Sequence, residues 1–191
     1  MKKRTRAREL SLQFLYQLDL LGDELIDELP RFLRGEEKDG ETCRFARRLV
    51  EGTHEKRAQL DAEIQRVAQN WQISRMAVID RNVLRLAAYE LLFCDDIPPK
   101  VAINEAIELG KRYSTQNSGG FINGILDRIK DRYVDGGEAL PTADAAPAAA
   151  ESDEGAGPAS RADDEDERGP ADPGKQEKAG GGSKPEATPA G

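Results

Sequence analysis

Hydrophobic residues recur at intervals of three and four positions through most of residues 1–134. This spacing matches the 3.6-residue period of an α-helix, and no stretch shows the sustained alternation typical of a half-buried strand. The pattern predicts an all-α fold in which several helices form a compact bundle. A domain of this length buries roughly two-thirds of its unfolded surface, so its core needs no support from metal ions or disulfides.

The first predicted helix extends from about Thr5 to Leu21, and Gly22 ends it. Its apolar side chains fall on two sides of the helix. The side that we expect to pack in the core carries Leu10, Phe14, Leu18 and Leu21. The opposite side carries Leu12, Tyr16 and Leu20. This second apolar side either packs inside the fold or binds a partner.

Capping and turn residues divide the middle of the chain. Asp23 is predicted to cap a short helix that Pro30 interrupts. A longer helical stretch is predicted from about Thr42 to Asn70, with a bend or a break near Gly52.

Three helices are predicted in the second half of the folded region. The first has Asp80 as its N-cap and a core stripe formed by Val83, Leu84, Ala87 and Leu91. The pair Pro98 and Pro99 introduces the next helix, over about 101–113. Ser118 is predicted to cap the last helix, whose apolar stripe consists of Ile122, Ile125, Leu126, Ile129 and Tyr133.

Residues 135–191 have a different composition from the rest of the chain. All ten aromatic residues lie between Phe14 and Tyr133, whereas this segment holds seven of the ten prolines and ten of the eighteen glycines. A segment without large apolar groups cannot offset the entropy lost on folding. The sequence therefore predicts a folded domain over residues 1–134, followed by a disordered acidic tail.

The tail also explains the negative charge of the chain. It carries 5 Lys+Arg and 14 Asp+Glu, which leaves 23 against 22 in residues 1–134, a net charge of +1. Within that near-neutral domain, positive charge is concentrated at the start, where Lys2, Lys3, Arg4, Arg6 and Arg8 precede the first acidic residue. Phosphates would neutralise these cations and release counterions, so this basic arm is the best candidate for nucleic-acid binding. The alternative is a frayed terminus that only improves solubility.

No catalytic or cofactor motif is recognisable in the sequence. The chain contains no phosphate-binding glycine loop, no dinucleotide-binding glycine pattern and no zinc-binding histidine pair. His54 is the only histidine, and Cys43 and Cys94 are too few and too isolated for a disulfide framework or a metal site. No apolar stretch is long enough to span a membrane. We expect a cytoplasmic protein that is not an enzyme and needs neither a metal ion nor a cofactor.

The sequence resembles the NusB family of transcription antitermination factors over residues 2–133. The strongest similarity is in residues 80–92, DRNVLRLAAYELL, in residues 99–111, PKVAINEAIELGK, and in residues 121–127, FINGILD. Residues 6–10, RAREL, and residues 13–16, QFLY, resemble the start of the family pattern. The resemblance implies seven helices in two small bundles. It also implies binding to the single-stranded boxA element of nascent ribosomal RNA, together with the ribosomal protein NusE, within the transcription elongation complex.

Site residues are carried over from the family by position. The basic arm, Lys2 to Arg8, and a second patch at Phe121 with Asn117 and Ser118 in the preceding loop match RNA-contacting positions. Residues expected to face NusE are Leu12, Tyr16, Leu20 and Asp80. Gly119 and Gly120 depart from the family pattern and either remove side-chain contacts or let the backbone approach phosphates.

Two alternatives stay open at this point. The RNA-binding module fused to some ribosomal RNA cytosine methyltransferases has a similar sequence, but such an enzyme needs a large second domain that this chain has no room for. The other alternative is a helical protein-interaction module without specific RNA binding. The apolar side at Tyr16 is also compatible with a homodimer, and the acidic tail either competes with RNA for the basic arm or is functionally idle.

Overall fold

The computed structural model describes residues 3–68 and 71–140. In this part of the chain there are seven α-helices and no β-strand, which confirms the predicted all-α fold. The helices are α1 Lys3–Leu21, α2 Leu29–Glu36, α3 Gly40–Glu55, α4 Arg57–Val67, α5 Val78–Phe93, α6 Pro99–Tyr113 and α7 Ser118–Ile129. Lys2 and residues 141–191, the larger part of the predicted tail, lie outside the described residues.

The helices form two small bundles that share one core. Helices α1, α2 and α3 pack together in the first bundle, and α4 to α7 pack together in the second. Helix α5 joins them because it contacts α1 and α3 as well as its own bundle. Arg8 of α1 binds Glu90 of α5, and Asp19 near the end of α1 binds Arg81 near the start of α5. The two helices therefore run antiparallel.

The predicted core side of α1 is correct for three of its four residues. Leu10, Phe14 and Leu18 are buried. Leu21 is 72% exposed, so its assignment to the core is wrong. It is the last residue of α1, and the chain leaves the helix at Gly22, whose φ of +102° is readily adopted only by glycine.

Several predicted boundaries are corrected by the structure. The short helix predicted from Asp23 is a 3-10 helix, Asp23–Glu28, which has no side-chain cap. Pro30 follows it in the first turn of α2, where a missing N–H costs nothing. The stretch predicted from Thr42 to Asn70 is two helices that meet at Lys56, not at Gly52. Helix α3 starts earlier than predicted because the Asp39 carboxylate accepts a hydrogen bond from the N–H of Thr42 at 2.8 Å and caps it.

The second bundle follows the predicted apolar stripes closely. The stripes of α5 and α7 are buried at every predicted position. However, Asp80 is not the N-cap of α5, since the helix begins at Val78 and Asp80 lies within its first turn. After α7 the chain makes a wider π-helical turn, Lys130–Asp135, and Leu140 still packs against the core. Ordered packing thus continues past the predicted domain end at residue 134.

Candidate nucleic-acid and partner interfaces

The cations of the basic arm belong to the first turns of α1 and differ strongly in exposure. The side chains of Lys3 and Arg4 are 55% and 54% exposed, and that of Arg6 is 30% exposed. Each has an acidic neighbour within 4 Å: Lys3 contacts Asp39 and Glu41, Arg4 contacts Asp96, and Arg6 contacts Glu9 and Glu37. The alternative of a frayed terminus is wrong for residues 3–8, because these residues form the first turns of α1 and the fold supplies carboxylates to their cations.

Arg8 is not available to RNA, which corrects its assignment as a phosphate contact. Its side chain is 2% exposed and forms two parallel hydrogen bonds to Glu90, with Nε–Oε1 at 2.8 Å and Nη2–Oε2 at 2.7 Å. Burial opposes the charged form of Arg8, but the Glu90 carboxylate outweighs it and raises the pKa of the guanidinium. Arg8 therefore holds α1 to α5, and among the described residues the accessible cations of the arm are Lys3, Arg4 and Arg6.

Helix α3 adds cations to this surface that the sequence analysis missed. A groove of about 240 Å³ between α1 and α3 is lined by Lys3, Arg4, Glu41, Thr42, Arg44, Phe45 and Arg48. The Arg4 guanidinium lies 4.8 Å above the centroid of the Phe45 ring, which fixes its plane. Arg44 and Arg48 are four residues apart, so they share one face of α3. That spacing was visible in the sequence, but its position beside the arm was not.

The carboxylate beside Lys3 has an altered acidity. The backbone N–H of Thr42 and the Lys3 ammonium lower the pKa of Asp39 to about 2. Asp39 thus stays ionised through the physiological range, where it both caps α3 and holds Lys3 at 3.0 Å.

The loop between α6 and α7 forms the second predicted patch. Asn117 is exposed and Phe121 is half-buried, so both offer surface to a ligand. Ser118 is buried, and its hydroxyl donates to the Asp80 carboxylate at 3.1 Å, so it supports the loop and does not face RNA. The assignment of Ser118 as an RNA contact is therefore wrong.

Trp71 lies next to this patch and was not identified from the sequence. Its ring centroid is 5.7 Å from that of Phe121, and it is 58% exposed. The signal in the sequence was a lone tryptophan among polar residues between two helices. Nothing in the sequence alone placed it against Phe121.

The two glycines before Phe121 have different roles. A Cβ on Gly119 would lie 3.2 Å from two carbons of Lys111 and 3.4 Å from Ile107, so packing against α6 favours glycine there. A Cβ on Gly120 would meet nothing within 4 Å, so this position is open to a ligand.

An apolar groove runs along the second side of α1. It has a volume of about 500 Å³ and is lined by Glu9, Leu12, Gln13, Tyr16, Gln17, Phe32, Glu36, Ile79 and Tyr113. Tyr16 is 38% exposed at its edge, and Leu20 is 53% exposed one turn further along α1. An open apolar groove with an exposed aromatic residue suits a protein partner. Tyr113, the last residue of α6, brings this groove next to the loop that carries Asn117.

Two of the residues predicted to face a partner lie deeper than expected. Leu12 is 4% exposed, so it forms the floor of the groove and is mainly a core residue. Asp80 is 9% exposed and its Oδ2 atom accepts from Ser118, while its buried Oδ1 atom has no hydrogen-bond partner among the described residues. The Asp80 carboxylate turns inward toward the start of α7, so it does not face a partner directly as predicted.

The sequence model of the NusB family matches residues 5–131. The chain belongs to the NusB family. Helices α1 to α7 thus account for the match, and the resemblance predicted from the sequence motifs is confirmed.

Curated relatives agree with this membership. The transcription antitermination protein NusB of Anaeromyxobacter sp. (strain Fw109-5) is 51% identical over 128 residues, which cover 66% of this chain and 89% of that protein. The protein of the same name from Syntrophus aciditrophicus is 44% identical over 129 residues, covering 68% of this chain and 80% of that protein. Antitermination is a regulatory role, which agrees with the expectation that the chain is not an enzyme.

Solved structures show the same fold. A NusB structure from T. maritima has 41% sequence identity and a TM-score of 0.60, covering 72% of this chain and 93% of that one. A crystal structure of the antitermination factors NusB and NusE in complex with double-stranded RNA has 27% identity and a TM-score of 0.64, covering 70% and 99%. None of the helices in residues 3–68 and 71–140 is long and apolar enough to cross a membrane.

Proposed function

We propose that this NusB-family protein binds the boxA element of nascent ribosomal RNA together with NusE, and that the pair helps RNA polymerase pass terminators within the elongation complex. The observation that carries the proposal is the adjacency of two surfaces. An exposed basic and aromatic surface on α1 and α7 suits single-stranded RNA, and the apolar groove beneath Tyr16 suits a protein. The solved complex of NusB with NusE and RNA supports the same pairing of ligands.

The RNA side of the proposal rests on Lys3, Arg4, Arg6, Asn117 and Phe121. The three cations are attached to a helix, so little entropy is lost when they contact phosphates. The acidic neighbours of Lys3 and Arg4 are at the surface, where such ion pairs are weak and are readily exchanged for phosphate contacts, whereas Glu9 beside Arg6 is buried. Phe121 offers a ring on which an unpaired base can stack.

The α1 and α7 parts of this surface are held together by α6. Arg112 in the last turn of α6 forms an ion pair with Glu9 of α1, and Thr5 of α1 donates a hydrogen bond to Glu105 of α6 at 3.2 Å. The loop that follows α6 is therefore fixed beside α1. One RNA strand then contacts both patches without a rearrangement of the helices.

The partner side rests on Tyr16 at the exposed edge of the groove and on Leu20 one turn further along α1. A tyrosine above an apolar groove is typical of the residues that dominate binding energy in protein interfaces. Asp80 stands next to Ile79 of the groove lining, but its unsatisfied Oδ1 atom is buried, so Asp80 supports this end of α5 and does not contact NusE directly. A homodimer through this groove is the competing occupant.

Fluorescence anisotropy with labelled RNA tests the proposal. The full chain is titrated against a single-stranded boxA RNA and against a scrambled RNA of equal length, with and without purified NusE. We expect tighter binding to boxA than to the scrambled RNA and a further gain when NusE is present. Equal, weak binding to both RNAs with retained NusE binding would favour the alternative, a helical protein-interaction module without specific RNA binding.

A further inference from the structure

Trp71 is held at the surface by a fixed backbone. The Gln65 side-chain amide donates to the carbonyl oxygen of Trp71 at 3.0 Å and accepts from the N–H of Ile73 at 2.9 Å. The N–H of Trp71 donates to the carbonyl oxygen of Ala68 at 2.8 Å. An exposed indole on an anchored backbone loses little entropy when a ligand covers it, which is a property of binding surfaces.

Phe121 supports Trp71 without covering it. The two ring planes are inclined by 64°, so the rings meet edge to face and do not stack on each other. This arrangement leaves the indole exposed over more than half of its surface. A flat apolar group of a ligand therefore finds an aromatic corner formed by Trp71, from the segment that follows α4, and Phe121 of α7.

Arginines continue this surface along α7. Phe121 and Arg128 are seven residues apart and thus lie on the same face of the helix. The Arg128 Nη1 atom donates to the carbonyl oxygen of Val67 at 2.9 Å, at the same end of α4 from which the chain leads to Trp71. A groove of about 620 Å³ follows, lined by Arg66, Val67, Arg128, Asp131, Arg132 and Glu138.

The charges in this groove favour an anionic ligand. Its lining contains three arginines and two acidic residues. Arg66 is 40% exposed and pairs with the buried Glu63, and Arg132 is 36% exposed and pairs with Glu138 at the surface. Aromatic faces next to such cations are the combination that proteins use to bind single strands, because bases stack on the rings while phosphates contact the cations.

We propose that Trp71 and Phe121 form a stacking site for one base of single-stranded RNA, and that Arg66, Arg128 and Arg132 bind phosphates of the same strand. This inference rests on the proposed RNA-binding function and extends it to a third part of the surface, the track along α4 and α7. The RNA then occupies a longer path than the α1 cations and the loop at Asn117 provide.

Trp71 supplies its own probe, because it is the only tryptophan among the 191 residues. The full chain is titrated with single-stranded boxA RNA while tryptophan emission and the anisotropy of labelled RNA are recorded in parallel. We expect emission to be quenched with the same dissociation constant that anisotropy gives. Trp71→Ala should weaken binding about 5- to 150-fold, and Trp71→Phe, which keeps a ring, should recover part of that loss.

Leu21→Ala is the matched control. Leu21 is an apolar residue that is 72% exposed. It lies near the start of α4, since Asp23, two residues further along the chain, binds Arg57 in the first turn of that helix. Trp71, in contrast, follows the end of α4. This variant should bind RNA as the wild type does. Arg132→Gln tests the phosphate contacts, since it should make the slope of log affinity against log salt shallower by about 0.7.

The outcomes separate this inference from the function on which it rests. If anisotropy shows RNA binding but tryptophan emission does not change, and Trp71→Ala binds RNA with full affinity, the stacking site is overturned while RNA binding stands. If Trp71→Ala sediments differently from the wild type but keeps its RNA affinity, the stacking site is overturned and Trp71 is instead a contact between protein molecules. Absence of RNA binding at low salt would contradict both proposals.

Discussion

Arg8 and Glu90 form a buried, doubly hydrogen-bonded ion pair that ties α1 to α5. Both side chains are 2% exposed, and the two shortest N–O distances are 2.8 and 2.7 Å. Arg8→Ala should lower the free energy of unfolding by about 3 to 5 kcal/mol, because it leaves the Glu90 carboxylate buried without its partner. Urea denaturation followed by circular dichroism measures this change.

A double variant distinguishes a structural role of Arg8 from RNA contact. Arg8→Met with Glu90→Leu removes both charges while keeping similar volume, so most of the stability should return. Its RNA affinity should stay near that of the wild type, whereas Arg4→Ala should reduce it. An equal loss of RNA affinity in the double variant would show that Arg8 contacts RNA after all.

Tyr16 and Leu12 occupy the same apolar side of α1 but should behave in opposite ways. Tyr16→Ala should weaken NusE binding by about 2 kcal/mol or more and change stability little, because Tyr16 is at the exposed edge of the groove. Leu12→Ala should cost about 2 to 5 kcal/mol of stability, because Leu12 is buried. Calorimetric titration and thermal melting give the two quantities, and a large stability loss in Tyr16→Ala would place its ring in the core.

Sequence periodicity was sufficient to predict the buried residues of a helix whose apolar side chains face a single direction. The stripe of α7 is buried at every predicted position, since this helix packs with one face on the shared core. The stripe of α5 is buried throughout as well, but Leu86 and Ala88 outside that stripe are also buried, because α5 lies between the two bundles. Helix α1 was harder because apolar residues surround it, and periodicity alone does not distinguish the buried Leu12 from the half-exposed Tyr16.

The candidate site was only partly predictable for a related reason. Charge density at the start of the chain identified Lys3, Arg4 and Arg6. It could not show that Arg8 forms a buried ion pair with Glu90, which lies 82 residues further along the chain. Likewise, Trp71 and Phe121 are distant in the sequence and meet only through the packing of α4 against α7. Contacts between distant residues carry no periodic signal.

The depressed pKa of Asp39 predicts a contribution to acid stability. The folded-state pKa of about 2 lies below the ordinary value of 3.8, so the ionised carboxylate stabilises the fold above about pH 4, and this contribution is lost as the pH falls toward 2. Asp39→Ala should therefore melt at a lower temperature than the wild type at pH 6, and the difference between the two melting temperatures should be smaller near pH 2. A difference that does not change between these pH values would contradict this role.

Gly52 lies where α3 packs against α5. A Cβ at this position would overlap the ring of Tyr89, so Gly52→Ala should destabilise the fold by about 1 to 3 kcal/mol. Gly124→Ala is the matched control, because a Cβ there meets nothing within 4 Å and alanine favours a helix interior by about 0.5 to 1 kcal/mol. In chemical denaturation, the free energy of unfolding should thus fall for Gly52→Ala and rise for Gly124→Ala. A change of the same sign in both variants would contradict the packing described.

Salt dependence of RNA affinity tests the central claim most directly. If the exposed cations of α1 and their neighbours neutralise about three to five phosphates of a single strand, log affinity should fall against log salt with a slope of roughly −2 to −3.5. Replacing Lys3, Arg4 and Arg6 with alanine should make that slope shallower by about 2, whereas the Arg8 and Glu90 double variant should retain it. A slope near zero for the wild type, or one that the triple substitution leaves unchanged, would contradict RNA binding through this surface.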